Sequence, residues 1–294
     1  MNQIDTFLSE INWEKWQSSH KLFAILDCAH VPDAIWRPLH GLDASICRPL
    51  FEGTPDEGLS SVEPLLLDPL NPSTPRLMPW LIEQEKASPS VLWLASQQPI
   101  EAVQKHISPL LSADLPDAPD SVLRFYDPSV MYKLMQVCTT EQKARFFVGV
   151  DHWWAWNKRT AQRLAFARPK TDVSPAAQCK LSESQMERFS QLDIADFVHD
   201  TTVDIVKRKA ELTHAKGLSN QALTQHVDNH IGKAMAYGFE SEECIQAYLQ
   251  CVAQALGWSF AEQGQHERIM ATLKDAGCDE DEKLERLQSY CATL

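Results

Sequence analysis

Asp27, Cys28 and His30 are the residues of this chain best placed by type and spacing to do chemistry. They follow the apolar run Leu22 to Leu26, and the end of a buried strand is where open α/β sheets place their ligands. A carboxylate, a thiol and an imidazole that close together could hold a metal or move a proton, and His106, Asp127, Asp151 and His152 could converge on them. Against that, Cys and His two apart on a strand is not a zinc spacing, and no second pair completes four ligands. His226 and His230, four apart on a helical pattern, have a chelating spacing. Val227-Asp228-Asn229 between them lacks the glutamate of a zinc-protease motif, so a solvated helix face is expected. No G-x-S-x-G, P-loop or G-x-G-x-x-G is present, and the 10 glycines are too scattered to cradle a phosphate. Lys207-Arg208-Lys209 is the one basic run, at the end of a helical pattern where cations complement the dipole. The expected role of Asp27, Cys28 and His30 is therefore the polar edge of a packed sheet. The alternative is a metal- or small-molecule-dependent α/β enzyme with its site at those three residues.

The segment that should position these groups is Val122 to Pro128. Val122, Leu123, Phe125 and Tyr126 have strand character, and Pro128 suits the first turn of a helix. Asp127 is a good N-cap, and Val130, Met131, Leu134 and Met135 continue at helical spacing. Arg124, Phe125, Tyr126, Asp127 and Pro128 thus form a structural motif in which two ionisable groups need partners. The expectation is that Asp127 caps the helix and Arg124 is buried against an acidic or carbonyl partner, with each other as one option. Trp153, Trp154 and Trp156 are the other distinctive group. Strand alternation sends Trp154 and Trp156 to one face and Trp153 to the other. They are either core or a candidate partner-binding surface, where tryptophan is enriched.

Around these residues, strand and helix signals alternate. Residues 4–19 have helical spacing in Ile4, Phe7, Leu8, Ile11 and Trp16, and Lys21 to Asp27 is a strand apolar enough to be covered on both faces. A short helix over Ala34 to Leu39 follows, then a strand end at Leu50. Val62 to Leu67 reads as a strand that Pro64 assigns to an edge or bulge. Leu77 to Lys86 reads as a helix, Val91 to Ala95 as a buried strand, and a helix beginning at Pro99 continues through His106. A further helix is capped at Thr140, and Asp151 to Trp156 pairs with Arg163 to Arg168. Beyond a polar, proline-containing stretch the pattern is helical only. The fold class is an α/β N-terminal lobe, a sheet flanked by helices, followed by an all-α C-terminal lobe. The boundaries are 1–168 for the first, 169–182 for a linker and 183–294 for the second.

Net charge is −13, which argues against nucleic acid as the principal partner. Residues 183–294 carry −9 of it, while eight of the nine tryptophans lie before residue 160. No apolar run approaches the roughly 20 residues that span a bilayer, and the N-terminus lacks signal-peptide character. A soluble, cytoplasmic protein without membrane insertion is expected. The eight cysteines include no C-x-x-C pair and are expected as reduced thiols, mostly in the core.

Five segments in order carry a family resemblance: Leu22-Phe23-Ala24-Ile25-Leu26-Asp27, Leu50-Phe51-Glu52-Gly53-Thr54-Pro55, Leu92-Trp93-Leu94-Ala95-Ser96, Leu123-Arg124-Phe125-Tyr126-Asp127-Pro128, and Thr140-Glu141-Gln142 with Phe146-Phe147. Over residues 20–156 the chain resembles the effector adaptor, or chaperone, family of bacterial type VI secretion systems. The resemblance implies protein binding rather than catalysis, with no cofactor, no metal and no catalytic residue. Such adaptors hold a specific toxic effector in the cytoplasm and load it onto the secretion spike (VgrG-type) protein. An effector with membrane-seeking segments, such as a membrane-active toxin, would need such shielding most, because exposed apolar surface invites aggregation.

Overall fold

The structure is a computed structural model that describes residues 2–32, 36–59, 63–88, 90–170, 179–261 and 266–294. The chain separates into two compact units, residues 1–190 and 191–294. The first is an antiparallel sheet with helices; the region that follows is helical.

In the first unit, helix α1 (Gln3–Glu10) precedes the central strand β1 (Lys21–Leu26). Strands β2 (Cys47–Pro49) and β3 (Leu65–Leu67) follow, then helix α2 (Leu77–Ala87), strand β4 (Val91–Ser96) and helix α3 (Ile100–Ile107). Strands β5 (Ser112–Asp114) and β6 (Ser121–Val122) lead to helices α4 (Pro128–Val137) and α5 (Thr140–Arg145). The hairpin β7 (His152–Asn157) and β8 (Gln162–Ala167) comes next, then β9 (Cys179–Lys180). Among the described residues the main sheet has six strands in the order β2-β3-β1-β4-β7-β8, every pair antiparallel. A separate three-stranded sheet has the order β6-β5-β9.

Burial on both faces explains why β1 and β4 read as unbroken apolar runs. Leu22, Ala24 and Leu26 join the cluster built with Phe7, Trp13, Leu81 and Trp93, while Phe23 and Ile25 are also fully buried. Register sets large side chains beside small ones. Leu67, Ala24, Trp93, Trp154 and Ala165 are successive cross-strand partners over five strands. Phe23, Leu94, Trp153 and Phe166 do the same on the opposite face. Such cross-strand pairs are the unit of sheet stabilisation.

Several expectations are corrected. The strand expected from Val122 to Tyr126 is only Ser121–Val122 and belongs to the small sheet. Phe125 and Tyr126 are consecutive and both buried, which the alternation of a half-buried strand does not allow, so the backbone turns instead. β3 is interior, between β2 and β1, with Pro64 immediately ahead of it rather than at an edge. The cap of α5 is Thr139, one residue before the expected Thr140, in a capping box with Gln142. Most of the stretch read as a linker, 171–178, lies outside the described residues, as do Ala34, Ile35 and Val62.

Helix α6 (Glu183–Lys207) crosses the division between the units. The second unit continues with α7 (Asn220–Ala236), α8 (Glu242–Cys251), α9 (Glu267–Leu273) and α10 (Glu280–Cys291). Ser219, Ser241 and Asp279 cap three of these with side-chain hydrogen bonds. The core of this unit includes Leu223, Val227, Ile231, Tyr248, Leu249, Phe260, Leu273 and Leu287. α8 runs on through a wide π turn, Val252–Leu256, and stops at Gly257. There φ is +83° and a Cβ would lie 3.2 Å from the His214 ring, so glycine is required twice over. Among the described residues no helix is long and apolar enough to cross a membrane. All eight cysteines are free thiols, five of them buried.

One ionic tie on the α1 side of the sheet was invisible in the sequence. The Arg163 guanidinium of β8 donates to both oxygens of Glu85 on α2, at 3.0, 3.1 and 2.6 Å. It also pairs with Glu10 on α1 and lies 4.3 Å from the Phe7 ring centre. The Trp93 indole N–H donates to the same Glu85 carboxylate at 3.0 Å. Neither Glu85 nor Arg163 reaches solvent appreciably. Removing one member strands the other, at about 3–5 kcal/mol. Arg163→Met and Glu85→Leu should each lose about that much in urea unfolding, whereas the two combined should lose distinctly less than the two single losses added. Additive losses would show that the pair is not coupled.

Candidate functional site

The geometry gathers Asp27, His30, Arg124 and Asp127, which are spread over 100 residues of sequence. Asp27 terminates β1 and N-caps the single 3-10 turn Cys28–His30: its Oδ1 accepts the Ala29 N–H at 3.0 Å. Asp127 N-caps α4, its Oδ1 accepting the N–H groups of Ser129 at 2.7 Å and Val130 at 3.4 Å. Each carboxylate therefore spends one oxygen on a helical turn and has the other free for a cation. Arg124 supplies it, donating from Nη2 to Asp27 Oδ2 at 2.8 Å. His30 Nε2 lies 3.7 Å from the Oδ2 of both aspartates and 3.3 Å from Arg124 Nη2.

Burial is unequal around this knot. The Asp27 side chain is 0% exposed and that of Asp127 14%, whereas His30 is 37% and Arg124 44% exposed. The carboxylates are inside, and the guanidinium and the imidazole form the lid. Arg124 was expected to be buried; instead the arginine caps a buried aspartate from the solvent side. The expected Arg124–Asp127 option is not the main pairing: Asp27 takes the guanidinium, and the second oxygen of Asp127 faces His30. Asp127 favours the imidazolium and raises the pKa of His30, against the opposing effect of its burial. Tyr126, buried beside the knot, is pushed up to about 12 by burial and by the Asp27 charge.

The other candidates do not converge here. The Cys28 thiol is buried, and burial raises its pKa so far that no thiolate forms near neutrality. His106 packs against Gly149, where φ is +68° and a Cβ would come within 2.5 Å of the imidazole. Asp151 pairs with His20 at 3.1 Å. His152 lies between the rings of Trp16 and Trp154, tilted to both, and burial lowers its pKa. His230 is not on a solvated face: it is fully buried, with Nδ1 3.0 Å from the Tyr248 hydroxyl and Nε2 2.6 Å from the Trp258 carbonyl. His226 stacks on Trp258, so the two histidines are spent separately.

Trp153 and Trp154 are core side chains, 0% and 3% exposed, on opposite faces of the sheet as alternation requires. Trp153 donates its indole N–H to the Phe146 carbonyl at 2.7 Å and touches Phe125. Trp156 is half-buried, its ring 5.3 Å from the Arg163 guanidinium. Neither buried indole presents a ring to solvent.

Asp27, His30 and Asp127 each bring one ligand atom within 4.8 Å of the others, a set that by type could take a divalent cation. The guanidinium Nη2 of Arg124 already stands against two of them, as a cation fixed by covalent attachment. Chemically the arrangement is a clamp of two carboxylates, a guanidinium and an imidazole that joins the end of β1 to the start of α4. The sequence signalled that Arg124 and Asp127 needed partners, but nothing local could assign Asp27, 97 residues away.

Two outcomes follow. Arg124→Met leaves Asp27 buried without its cation and should cost about 3 kcal/mol in urea unfolding, against about 1 kcal/mol for Asp127→Ala, which removes chiefly a cap. Adding Asp27→Asn to Arg124→Met should restore part of the loss; a further full loss would mean that the pair is not the clamp. The second outcome concerns pH. Because the folded pKa of His30 is raised, its contribution is complete below the ordinary value of 6.5 and disappears as pH rises through the raised value. The stability difference between wild type and His30→Gln, measured from pH 5.5 upward, should shrink across that window and no other.

Residues 22–145 match the model of a domain of unknown function, DUF4123, a span that contains Asp27, His30, Arg124 and Asp127 and ends before the tryptophan hairpin. No curated protein and no solved structure matches the chain.

Proposed function

We propose that this protein is a cytoplasmic adaptor that holds a type VI secretion effector and delivers it to the spike protein, working by binding rather than catalysis. The observation that carries the reading is the position of the DUF4123 match. It spans four of the five segments that resemble the adaptor family, and the fifth as far as Arg145. Within that span Asp27 and Arg124 to Pro128 serve the scaffold, so the family-like residues account for a rigid platform. The second unit supports the reading with grooves between helices. One of about 520 Å³ is lined by Leu212, Ala247 and Ala255 together with the polar Arg208, Glu211 and Gln254, a mixed surface suited to an amphipathic segment. An effector with membrane-seeking segments would gain most from such cover.

A second reading, a cation-dependent enzyme at Asp27, Cys28 and His30, draws on the three ligand atoms gathered at Asp27, His30 and Asp127. Arg124 weighs against it, and so does the protonated Cys28 thiol. One experiment separates the two. The full chain is purified by affinity tag from its native cell, and bound proteins and metals are both quantified. Stoichiometric recovery of a toxin or spike protein supports the adaptor. Recovery of neither, with about one equivalent of a transition metal that Asp127→Ala abolishes, favours the enzyme.

A further inference from the structure

We propose that the outer edge of β8 receives an extended, acidic segment of a partner protein as an added antiparallel strand. The main sheet has two edges, and they differ. β2 is three residues long and ends in Pro49, the usual devices that blunt an edge. β8 is six residues long, about 20 Å, with no proline and an unbroken register against β7 from Gln162↔Asn157 to Ala167↔His152. Among the described residues no strand pairs with its other side. Its one internal charge, Arg163, is turned inward to Glu85.

The side chains continue the sheet's interior pattern. Phe166 is the last member of the row Phe23, Leu94, Trp153, and Leu164 lies two residues before it; both are only half-buried. On the opposite face Ala165 ends the row that contains Trp93 and Trp154 and is exposed. A further strand would complete both rows.

Charge selects the occupant. Residues 158–170 contain five Lys or Arg and no Asp or Glu, in a chain of net charge −13. Lys158 and Arg159 stand at one end of β8 and Arg168 and Lys170 at the other, all exposed. Two copies paired antiparallel through β8 would set these cations against each other, which disfavours self-association. A heterologous strand of about six residues with carboxylates at both ends would be attracted along its whole length. The inference uses the adaptor reading only in expecting a protein partner.

The test is hydrogen exchange of the full chain with three peptides of about ten residues: alternating Thr and Val with two Glu at each end, the same with Lys for Glu, and the Glu peptide with a central Pro. The Glu peptide should slow exchange of amides in Gln162–Ala167 and leave β2 unchanged, while the Lys and Pro peptides should do neither. Combined Lys158→Glu, Arg159→Glu, Arg168→Glu and Lys170→Glu should weaken the Glu peptide about tenfold and favour the Lys peptide. Protection elsewhere than β8, or equal binding of the Pro peptide, overturns the proposal. So does a single-stranded oligonucleotide that binds the four cations more tightly than the Glu peptide while leaving β8 amides unprotected. If the charge-reversed chain does not fold, the Pro peptide against the wild type still decides. A toxin recovered equally by the charge-reversed, folded chain would leave the adaptor standing and remove β8 from its mechanism.

Discussion

A carboxylate with no access to water has to be paid for by its neighbours, and Asp27 is such a group. It sits where the central strand ends, and three obligations meet on it: its backbone N–H donates to Ser90, one oxygen caps the turn at Ala29, and the other takes Arg124. An uncompensated buried anion is among the most costly features a fold can contain. The segment that carries Arg124 must therefore come back to the end of β1, and α4 starts where that return leaves it. The position of α4 on the sheet follows from this demand as much as from the packing of Phe125, Met131 and Leu134.

The Arg163 tie does for the other side of the sheet what Arg124 does at its end. In both cases the carboxylate is the deeper partner, and the arginine reaches it from an element distant in sequence. Arginine suits that task because its planar fork can satisfy two oxygens and still stack on an aromatic ring, as Arg163 does on Phe7. The two ties differ in exposure. Arg163 is sealed by α1, while Arg124 and His30 form a wet lid, so only the Asp27 clamp can feel pH through a neighbouring imidazole.

How much of this was legible depended on range. Local signals worked: the apolar runs of β1 and β4, the Asp127-Pro128 cap, the hairpin β7–β8, and the helical periodicity after residue 183 all correspond to elements. They worked because a buried strand or an amphipathic helix writes its period into neighbouring residues. The misread strand at Val122 shows the limit. Residue types with strand propensity occur there because Phe125 and Tyr126 fill a core from a turn, and propensity does not distinguish the two. The candidate site was half visible. Arg124 and Asp127 announced a need for partners, but the identity of Asp27 as one of them is a long-range fact without a sequence period. Glu85 and Arg163 gave no signal at all, since each looks like an ordinary surface charge on its own element. His230 misled in the opposite way: a histidine four residues from another suggests a ligand, yet its two ring nitrogens are satisfied by a tyrosine hydroxyl and a carbonyl inside a helical core.

The same two arginine ties bear on where recognition can occur. A surface that must fit a partner needs a rigid backbone behind it and unsatisfied groups in front of it. The interior strands have the first without the second, since their backbone groups and indoles are already committed. β8 has both, because Arg163 anchors it to α2 from within while its outer side meets no strand among the described residues. The tryptophans that first suggested a contact surface act one step removed: Trp153 and Trp154 stiffen β7, and β7 fixes the register of β8. In that arrangement aromatic mass is placed behind the edge and charge around it. The edge is then specific for a strand of opposite charge and resistant to a second copy of itself.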